Sequence, residues 1–154
     1  MSLQVPQLAA VELARRWQDA ASADDVVLVG NLFQAYALFT DSGAGDDLAA
    51  LFTADASWDG TALGYGTAAG RADIAKLVLS HHDPDRPSVH LPGPPLAVKV
   101  DTGFEVFSWT VATRVSGSVT KPLIFFSYHD VLCREDGVLR FRSRTLARLL
   151  PPAS

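Results

Sequence analysis

The chain has 154 residues, of which 48% are hydrophobic and 19% are charged, and its formal net charge is −4. One domain is usually about this long, and such a chain can bury roughly 68–70% of the surface that it exposes when unfolded. The acidic balance, without a cluster of lysine and arginine, excludes the phosphate contacts on which nonspecific nucleic-acid binding depends. No run of eighteen apolar residues is present, so we expect no membrane span.

The single cysteine, Cys133, excludes an internal disulfide and a cysteine-rich zinc site, and it favours a reducing, cytoplasmic compartment. Residues 1–20 carry several charges and lack the unbroken apolar stretch of a signal peptide. The run His81-His82-Asp83 does not indicate a metal site, because adjacent side chains on a helix point in different directions. We therefore predict no metal and no cofactor, and a solvated helix end at these histidines.

Two helices are predicted at the start of the chain. Good helix formers over residues 7–20 predict a short amphipathic helix. Ser22, with Asp25 three residues later, has the spacing of an N-cap with an acid in the first turn. This cap begins a second, largely buried helix that runs to about Asp41.

The middle of the chain alternates short elements. Acidic residues precede a third short helix over residues 48–52, and a brief strand is predicted over residues 56–59. Four glycines in residues 60–70 predict a loop or an irregular hairpin. Apolar spacing predicts a fourth helix over residues 71–82, which the prolines of residues 83–87 must end.

The remainder of the chain is rich in Val, Ile, Phe, Trp, Tyr and Thr, which favour strands. Helices followed by a run of antiparallel strands indicate an α+β fold in which helices pack on one face of a sheet. We expect the domain to span residues 1–154, with a core over about 23–149, a helical extension over 1–22 and a loose tail over 150–154. The predicted strands cover residues 89–91, 96–100, 104–115, 123–134 and 138–149.

Four segments resemble SnoaL-like proteins of the NTF2-like superfamily, which includes scytalone dehydratase, ketosteroid isomerase and polyketide cyclases. They are LFQAYALFTD over residues 32–41, GDDLAALFTADASWD over 45–59, GRADIA over 70–75 and YHDVLCREDGVLRFRSR over 128–144. The resemblance implies an NTF2-like cone, in which a curved antiparallel sheet wraps around N-terminal helices and encloses a pocket. It also implies a homodimer formed through the outer face of the sheet.

The dehydratase-like members carry a pocket acid near the end of the second helix and a histidine on the first strand after the proline-rich break. Those positions match Asp41 and His90 here. A histidine can exchange a proton with carbon at neutral pH, and a carboxylate can fix its tautomer. Tyr36 and Tyr128 could add hydroxyl donors to a substrate carbonyl. The second pocket histidine of scytalone dehydratase has no counterpart over residues 104–115.

Strand alternation predicts which side chains face the pocket. Over residues 123–134 we expect the face of Tyr128 to be inside. Over residues 104–115 we expect the side chains of Glu105, Phe107, Trp109, Val111 and Thr113 to face the concave side of the sheet, with Glu105 near the rim. The predicted pocket lining comprises Trp58, Tyr65, Phe107, Trp109, Phe126 and Asp130.

Each candidate also has a structural interpretation. Asp41 could terminate a helix, His90 could be a hydrogen-bonded strand residue, and the aromatic residues could belong to the core. The leading hypothesis is a cofactor-independent lyase (dehydratase) or isomerase that acts on a hydrophobic cyclic hydroxy- or keto-compound. The alternative is a non-catalytic ligand-binding or dimeric assembly module, since one fold hosts many functions.

Overall fold

The computed structural model describes residues 5–19, 21–116 and 119–148, in which helices are followed by a curved, unclosed seven-stranded sheet. The helices are α1 (Val5–Arg15), α2 (Ala23–Ser42), α3 (Gly45–Ala50) and α4 (Arg71–Leu79), with 3-10 turns at Trp17–Asp19 and Thr61–Leu63. The strands are β1 (Phe52–Asp59), β2 (Thr67–Ala69), β3 (Ser88–Pro92), β4 (Leu96–Val100), β5 (Gly103–Ser116), β6 (Val119–Glu135) and β7 (Val138–Arg148). The predicted α+β class is confirmed.

Helix α2 forms the centre of the core, and its predicted N-cap is confirmed. The hydroxyl of Ser22 accepts a hydrogen bond from the backbone N–H of Asp25 at 3.2 Å, which satisfies one of the free amide donors of the first turn. Gly43 ends the helix with a φ of +73°, a conformation that glycine adopts without steric cost. The helix buries Val29, Leu32, Phe33, Tyr36 and Ala37.

Element bounds differ from the predicted ones mainly around the glycine-rich segment. Strand β1 begins at Phe52 rather than residue 56. Residues 60–70 contain a 3-10 turn and the short strand β2, which pairs antiparallel with β1, so the irregular hairpin is the alternative that the structure has. Helix α4 ends at Leu79 rather than at residue 82. The Ser80 hydroxyl donates a hydrogen bond to the carbonyl of Leu77 at 2.6 Å, and this bond competes for a carbonyl that would otherwise accept a backbone N–H of a longer helix. The predicted tail over residues 150–154 lies outside the described residues.

The sheet has the order β2-β1-β7-β6-β5-β3, and β4 pairs with β5 beside β3. Strand β5 pairs with β4 along residues 103–107 and with β3 along residues 110–114. Neighbouring strands are antiparallel except β1 and β7, which are parallel and join the first strand of the chain to the last.

The inward face of β6 matches the prediction, but the inward face of β5 does not. Val106, Ser108 and Thr110 lie opposite Asp130, Tyr128 and Phe126 in the β5–β6 register, and directly opposite residues point to the same side of a sheet. Val106, Ser108 and Thr110 are accordingly buried, as are Phe104 and Ala112 on the same face. The predicted concave set, which includes Glu105, Phe107 and Trp109, lies on the outer face, and Trp109 is 60% exposed.

No helix within the described residues is long and apolar enough to span a membrane.

Candidate active site

A cavity of about 390 Å³ opens on the concave face of the sheet. This volume falls in the range of small-molecule sites, which are mostly apolar with a few polar groups that set orientation. Helix α2 and strand β1 contribute Tyr36 and Trp58 to its wall, and strands β3 and β6 contribute His90, Phe126 and Tyr128. The residues that could do chemistry therefore share the cavity wall with apolar and aromatic side chains.

The last turn of α2 and strand β3 bring Asp41 and His90 together. The Asp41 Oδ1 atom lies 2.6 Å from His90 Nδ1, and Asp41 Oδ2 accepts the backbone N–H of His90 at 2.8 Å. Both side chains are largely buried, with 19% and 17% of their surface exposed. If Nδ1 donates to the carboxylate, Nε2 carries the lone pair of the neutral ring and is the atom available to a ligand.

Two tyrosines share the wall of the cavity with His90. The rings of Tyr36 and Tyr128 pack edge to face, with centroids 5.8 Å apart, and Trp58 Nε1 donates a hydrogen bond to the Tyr36 hydroxyl at 3.3 Å. Burial raises the pKa of both tyrosines above the usual value, most strongly for Tyr128. Both hydroxyls are therefore neutral at physiological pH and able to donate.

Asp130 faces the interior as predicted, but it does not line the cavity. It pairs instead with Arg144, and neither side chain is exposed. The Arg144 guanidinium lies 3.8 Å from the ring centroid of Tyr128 and 4.1 Å from that of Tyr36, so cation–π contacts hold it beneath both tyrosines. Burial raises the pKa of Asp130, while the adjacent guanidinium opposes that shift.

The other predicted lining residues divide into two groups. Trp58, Tyr65 and Phe126 line the cavity. Phe107 and Trp109 do not, because they belong to the outer face of β5. Glu105, expected near the rim, also lies on that outer face, where its carboxylate meets His129 Nε2 at 2.9 Å.

Several lining residues were missed. His81 and His82 were expected at a solvated helix end, but both line the cavity because α4 stops at Leu79 and the chain turns. The His81 ring packs against the Tyr65 ring in a tilted arrangement, with centroids 4.6 Å apart. Arg114 and Arg148 also line the cavity, and strand alternation from Ala112 and Leu146 was the signal that could have found them.

The described residues contain no group of three or more His, Cys, Asp or Glu side chains that could hold a metal ion.

Arg144 is a core residue that was not predicted from the sequence, because an arginine is rarely buried unless it is paired.

Comparison with known proteins identifies the family. The SnoaL-like domain matches residues 21–145, and this chain therefore belongs to the SnoaL-like family. The NTF2-like fold is confirmed by its structural neighbours. A search of curated protein sequences finds no match.

Three solved structures illustrate the likeness in fold. Aln2 from a Streptomyces species has a TM-score of 0.75 at 20% identity, over 84% of this chain and 93% of that one. ActVI-ORFA from Streptomyces coelicolor has a TM-score of 0.71 at 22% identity, over 80% and 96% of the two chains. A scytalone dehydratase candidate from Novosphingobium aromaticivorans has a TM-score of 0.67 at 21% identity, over 80% and 83%.

Proposed function

We propose that this chain is a cofactor-independent lyase (dehydratase) or isomerase that acts on a hydrophobic cyclic hydroxy- or keto-compound. The observation that carries the proposal is the 2.6 Å contact between Asp41 and His90 at the wall of the cavity. A general base needs hydrogen-bond reach to its substrate and a partner that fixes its tautomer. His90 has such a partner in Asp41, and it lines the cavity.

The proposed reaction begins with proton transfer from a carbon next to the substrate carbonyl to His90 Nε2. The electron pair of the broken C–H bond moves into an enolate, and the Asp41 carboxylate stabilises the imidazolium that forms. A hydroxyl of Tyr36 or Tyr128 donates to the enolate oxygen. In a dehydratase the imidazolium proton leaves with the hydroxyl group as water, and in an isomerase it is returned to another carbon.

The scytalone dehydratase candidate among the structural neighbours supports the lyase form of the proposal by analogy of fold. The alternative, a non-catalytic ligand-binding or assembly module, predicts a fully buried His90 with no carboxylate within reach, whereas Asp41 Oδ1 lies 2.6 Å from its Nδ1. The Asp41–His90 geometry therefore favours catalysis over that alternative.

We further propose a homodimer formed through the outer face of the sheet. Large apolar side chains project from this face on three adjacent strands, namely Val89 and Leu91 on β3, Trp109 on β5 and Phe125 on β6. Scattered apolar residues are ordinary on a surface, whereas a contiguous patch marks a site of association. We assign a second copy of this chain to the patch, because a two-fold dimer brings the same apolar surface of both subunits into contact.

The proposal is tested with a panel of bicyclic hydroxyketones incubated with the protein in D₂O. Deuterium incorporation next to the carbonyl is followed by NMR, and loss of water by mass spectrometry. Loss of a general acid–base group lowers rates by about 10²- to 10⁴-fold. We expect losses of that size for His90→Ala and Asp41→Asn with any compound that the wild-type protein turns over.

The chain offers a matched control for this experiment. His129 and Glu105 form a second histidine–carboxylate pair, 2.9 Å apart, on the outer face and away from the cavity. His129→Ala and Glu105→Gln should leave turnover unchanged. Turnover that survives in both His90→Ala and Asp41→Asn would overturn the mechanism.

A further inference from the structure

The cavity is lined by cations but by no anions. All seventeen Asp and Glu residues of the sequence lie in the described part of the chain, and none of them lines the cavity. Two arginines do line it, Arg114 from β5 and Arg148 from β7. Since an arginine is always protonated, the cavity carries a fixed positive charge beside its apolar wall.

We propose that the ligand of this cavity is an amphipathic anion, a ring compound bearing a carboxylate, and that Arg114 is the principal anchor of that carboxylate with Arg148 as a second contact. This inference rests on the proposed function, because it specifies the substrate class of the same site. It adds two ligand-binding residues to those that carry the chemistry.

Arg114 lies on the concave face of β5, diagonally opposite the proposed base His90. His90 pairs with Ala112 in the β3–β5 register, and Ser88 pairs with Arg114 two residues further along the strand. Alternate residues of a strand share a face, and their Cα atoms are about 6.6 Å apart. A carboxylate bound to Arg114 would therefore hold the ring of the ligand against His90.

One donor of the Arg114 guanidinium is unsatisfied within the described part of the chain. Its Nε atom is buried, and it has no hydrogen-bond partner among the described residues. No described carboxylate lies within 4.0 Å of its guanidinium. Buried donors are nearly always satisfied, so an unsatisfied guanidinium N–H at a cavity wall points to an acceptor supplied by a ligand.

Arg148 lines the cavity from β7, which pairs with the edge of β6 opposite to the edge that pairs with β5. It pairs with Phe126 in the β6–β7 register, and its Nε donates to the carbonyl of Ala62 at 3.1 Å. That bond fixes the side chain, while no described carboxylate lies within 4.0 Å of the guanidinium. Arg71 and Arg144, by contrast, each form a salt bridge with an acidic residue. Among the described residues, Arg114 and Arg148 form no such salt bridge, so their charges remain available to a ligand.

The chemistry of the wall selects a carboxylate on a ring system. Tyr36, Trp58 and Phe126 supply aromatic faces for the rings. A guanidinium presents parallel N–H groups that match the two oxygens of a carboxylate, and such charge-assisted bonds are stronger than those to a neutral hydroxyl. The ligand class is therefore a cyclic keto- or hydroxy-acid rather than its neutral counterpart.

The test measures binding without turnover, using isothermal titration calorimetry with 2-naphthoate and its neutral counterpart 2-naphthol. We expect 2-naphthoate to bind the wild-type protein about 10-fold or more tightly than 2-naphthol. Arg114→Gln should lower the affinity for 2-naphthoate by about 10- to 100-fold, the effect of losing a charged hydrogen bond, and should leave the affinity for 2-naphthol unchanged. Arg148→Gln should show a smaller loss, and Arg114→Lys should restore part of the affinity.

The matched control is Arg142→Gln, which removes the same charge from an exposed position of β7 that does not line the cavity. It should leave both affinities unchanged, and circular dichroism should show that every variant is folded. Equal binding of the two probes, no saturable binding of 2-naphthoate, or equal losses in Arg114→Gln and Arg142→Gln would each overturn the proposal. His90→Ala should keep the preference for 2-naphthoate, so failure of the catalytic proposal and failure of this one are read separately.

Discussion

The guanidinium of Arg144 meets the carboxylate of Asp130 through two parallel hydrogen bonds, Nε to Oδ1 at 2.8 Å and Nη2 to Oδ2 at 2.9 Å. Neither side chain is exposed, and the pair lies directly beneath Tyr36 and Tyr128. Burial opposes the charge on Arg144, but the charge and hydrogen bonds of Asp130 raise its pKa above the ordinary value. The two tyrosine rings therefore pack against a buried ion pair that hydrogen bonds hold in one geometry.

Removing one partner of this pair should destabilise the protein strongly. Arg144→Met leaves the Asp130 carboxylate buried without its counter-ion, and we expect the free energy of unfolding to fall by about 3–5 kcal/mol. Urea denaturation followed by circular dichroism measures the loss. The double variant Asp130→Leu/Arg144→Met should lose less, since it buries no unpaired charge. Arg134→Met, at a 51% exposed side chain, is the surface control and should change stability by about 0.5 kcal/mol or less.

The Tyr36 hydroxyl should matter more for turnover than the Tyr128 hydroxyl. Trp58 Nε1 donates to the Tyr36 oxygen, which orients its own O–H and strengthens it as a donor. Removing one donor of an oxyanion hole lowers kcat by about 10²- to 10³-fold. We expect such a loss of kcat for Tyr36→Phe, with little change in KM, and a smaller loss for Tyr128→Phe. Equal kcat values for Tyr36→Phe and the wild-type protein would remove Tyr36 from the mechanism.

Local sequence signals were sufficient for the framework of the site. The cap at Ser22 begins α2, and Gly43 ends it, so Asp41 lies at the end of a helix. The prolines before β3 interrupt the preceding helix, so His90 lies on a strand. The structure brings the two side chains together. Their assignment as a pair came from the resemblance, because helix and strand periodicity alone do not determine which elements meet.

Other features of the site depend on contacts between elements. In β5, the large side chains of Phe107 and Trp109 lie on the face that was predicted to be concave, and large apolar side chains usually face a core. The structure has the opposite arrangement, in which the smaller side chains of Ser108, Thr110 and Ala112 are buried on the concave face. Pairing of β5 with β6 fixes this choice, and no pattern within β5 alone reveals it. The same holds for Arg144, whose burial depends on a partner fourteen residues away.

High pH should destabilise the fold through the two cavity tyrosines. Burial holds the pKa of Tyr36 and Tyr128 above the unfolded value of about 10, so the folded state keeps protons that the unfolded chain has lost. Their contribution to stability is fully present below pH about 10, and it is lost as the pH rises toward the folded pKa. Urea denaturation on both sides of pH 10 measures the decline. Tyr128→Phe should flatten this decline, and an unchanged slope in that variant would contradict the assignment.

The apolar outer face of the sheet should associate with its counterpart in a second copy of the chain. Trp109, at 60% exposed, lies between the strands that carry Leu91 and Phe125, so its side chain is central to the patch. We expect light scattering to give a dimer mass for the wild-type protein. Trp109→Glu should give a monomer, because burying an unpaired carboxylate in an interface is costly. Leu38→Glu, which changes a 65% exposed residue of α2, is the control and should remain a dimer. A monomer mass for the wild-type chain would remove the dimer proposal and leave the catalytic one intact, since none of the four residues proposed for catalysis lies on that face.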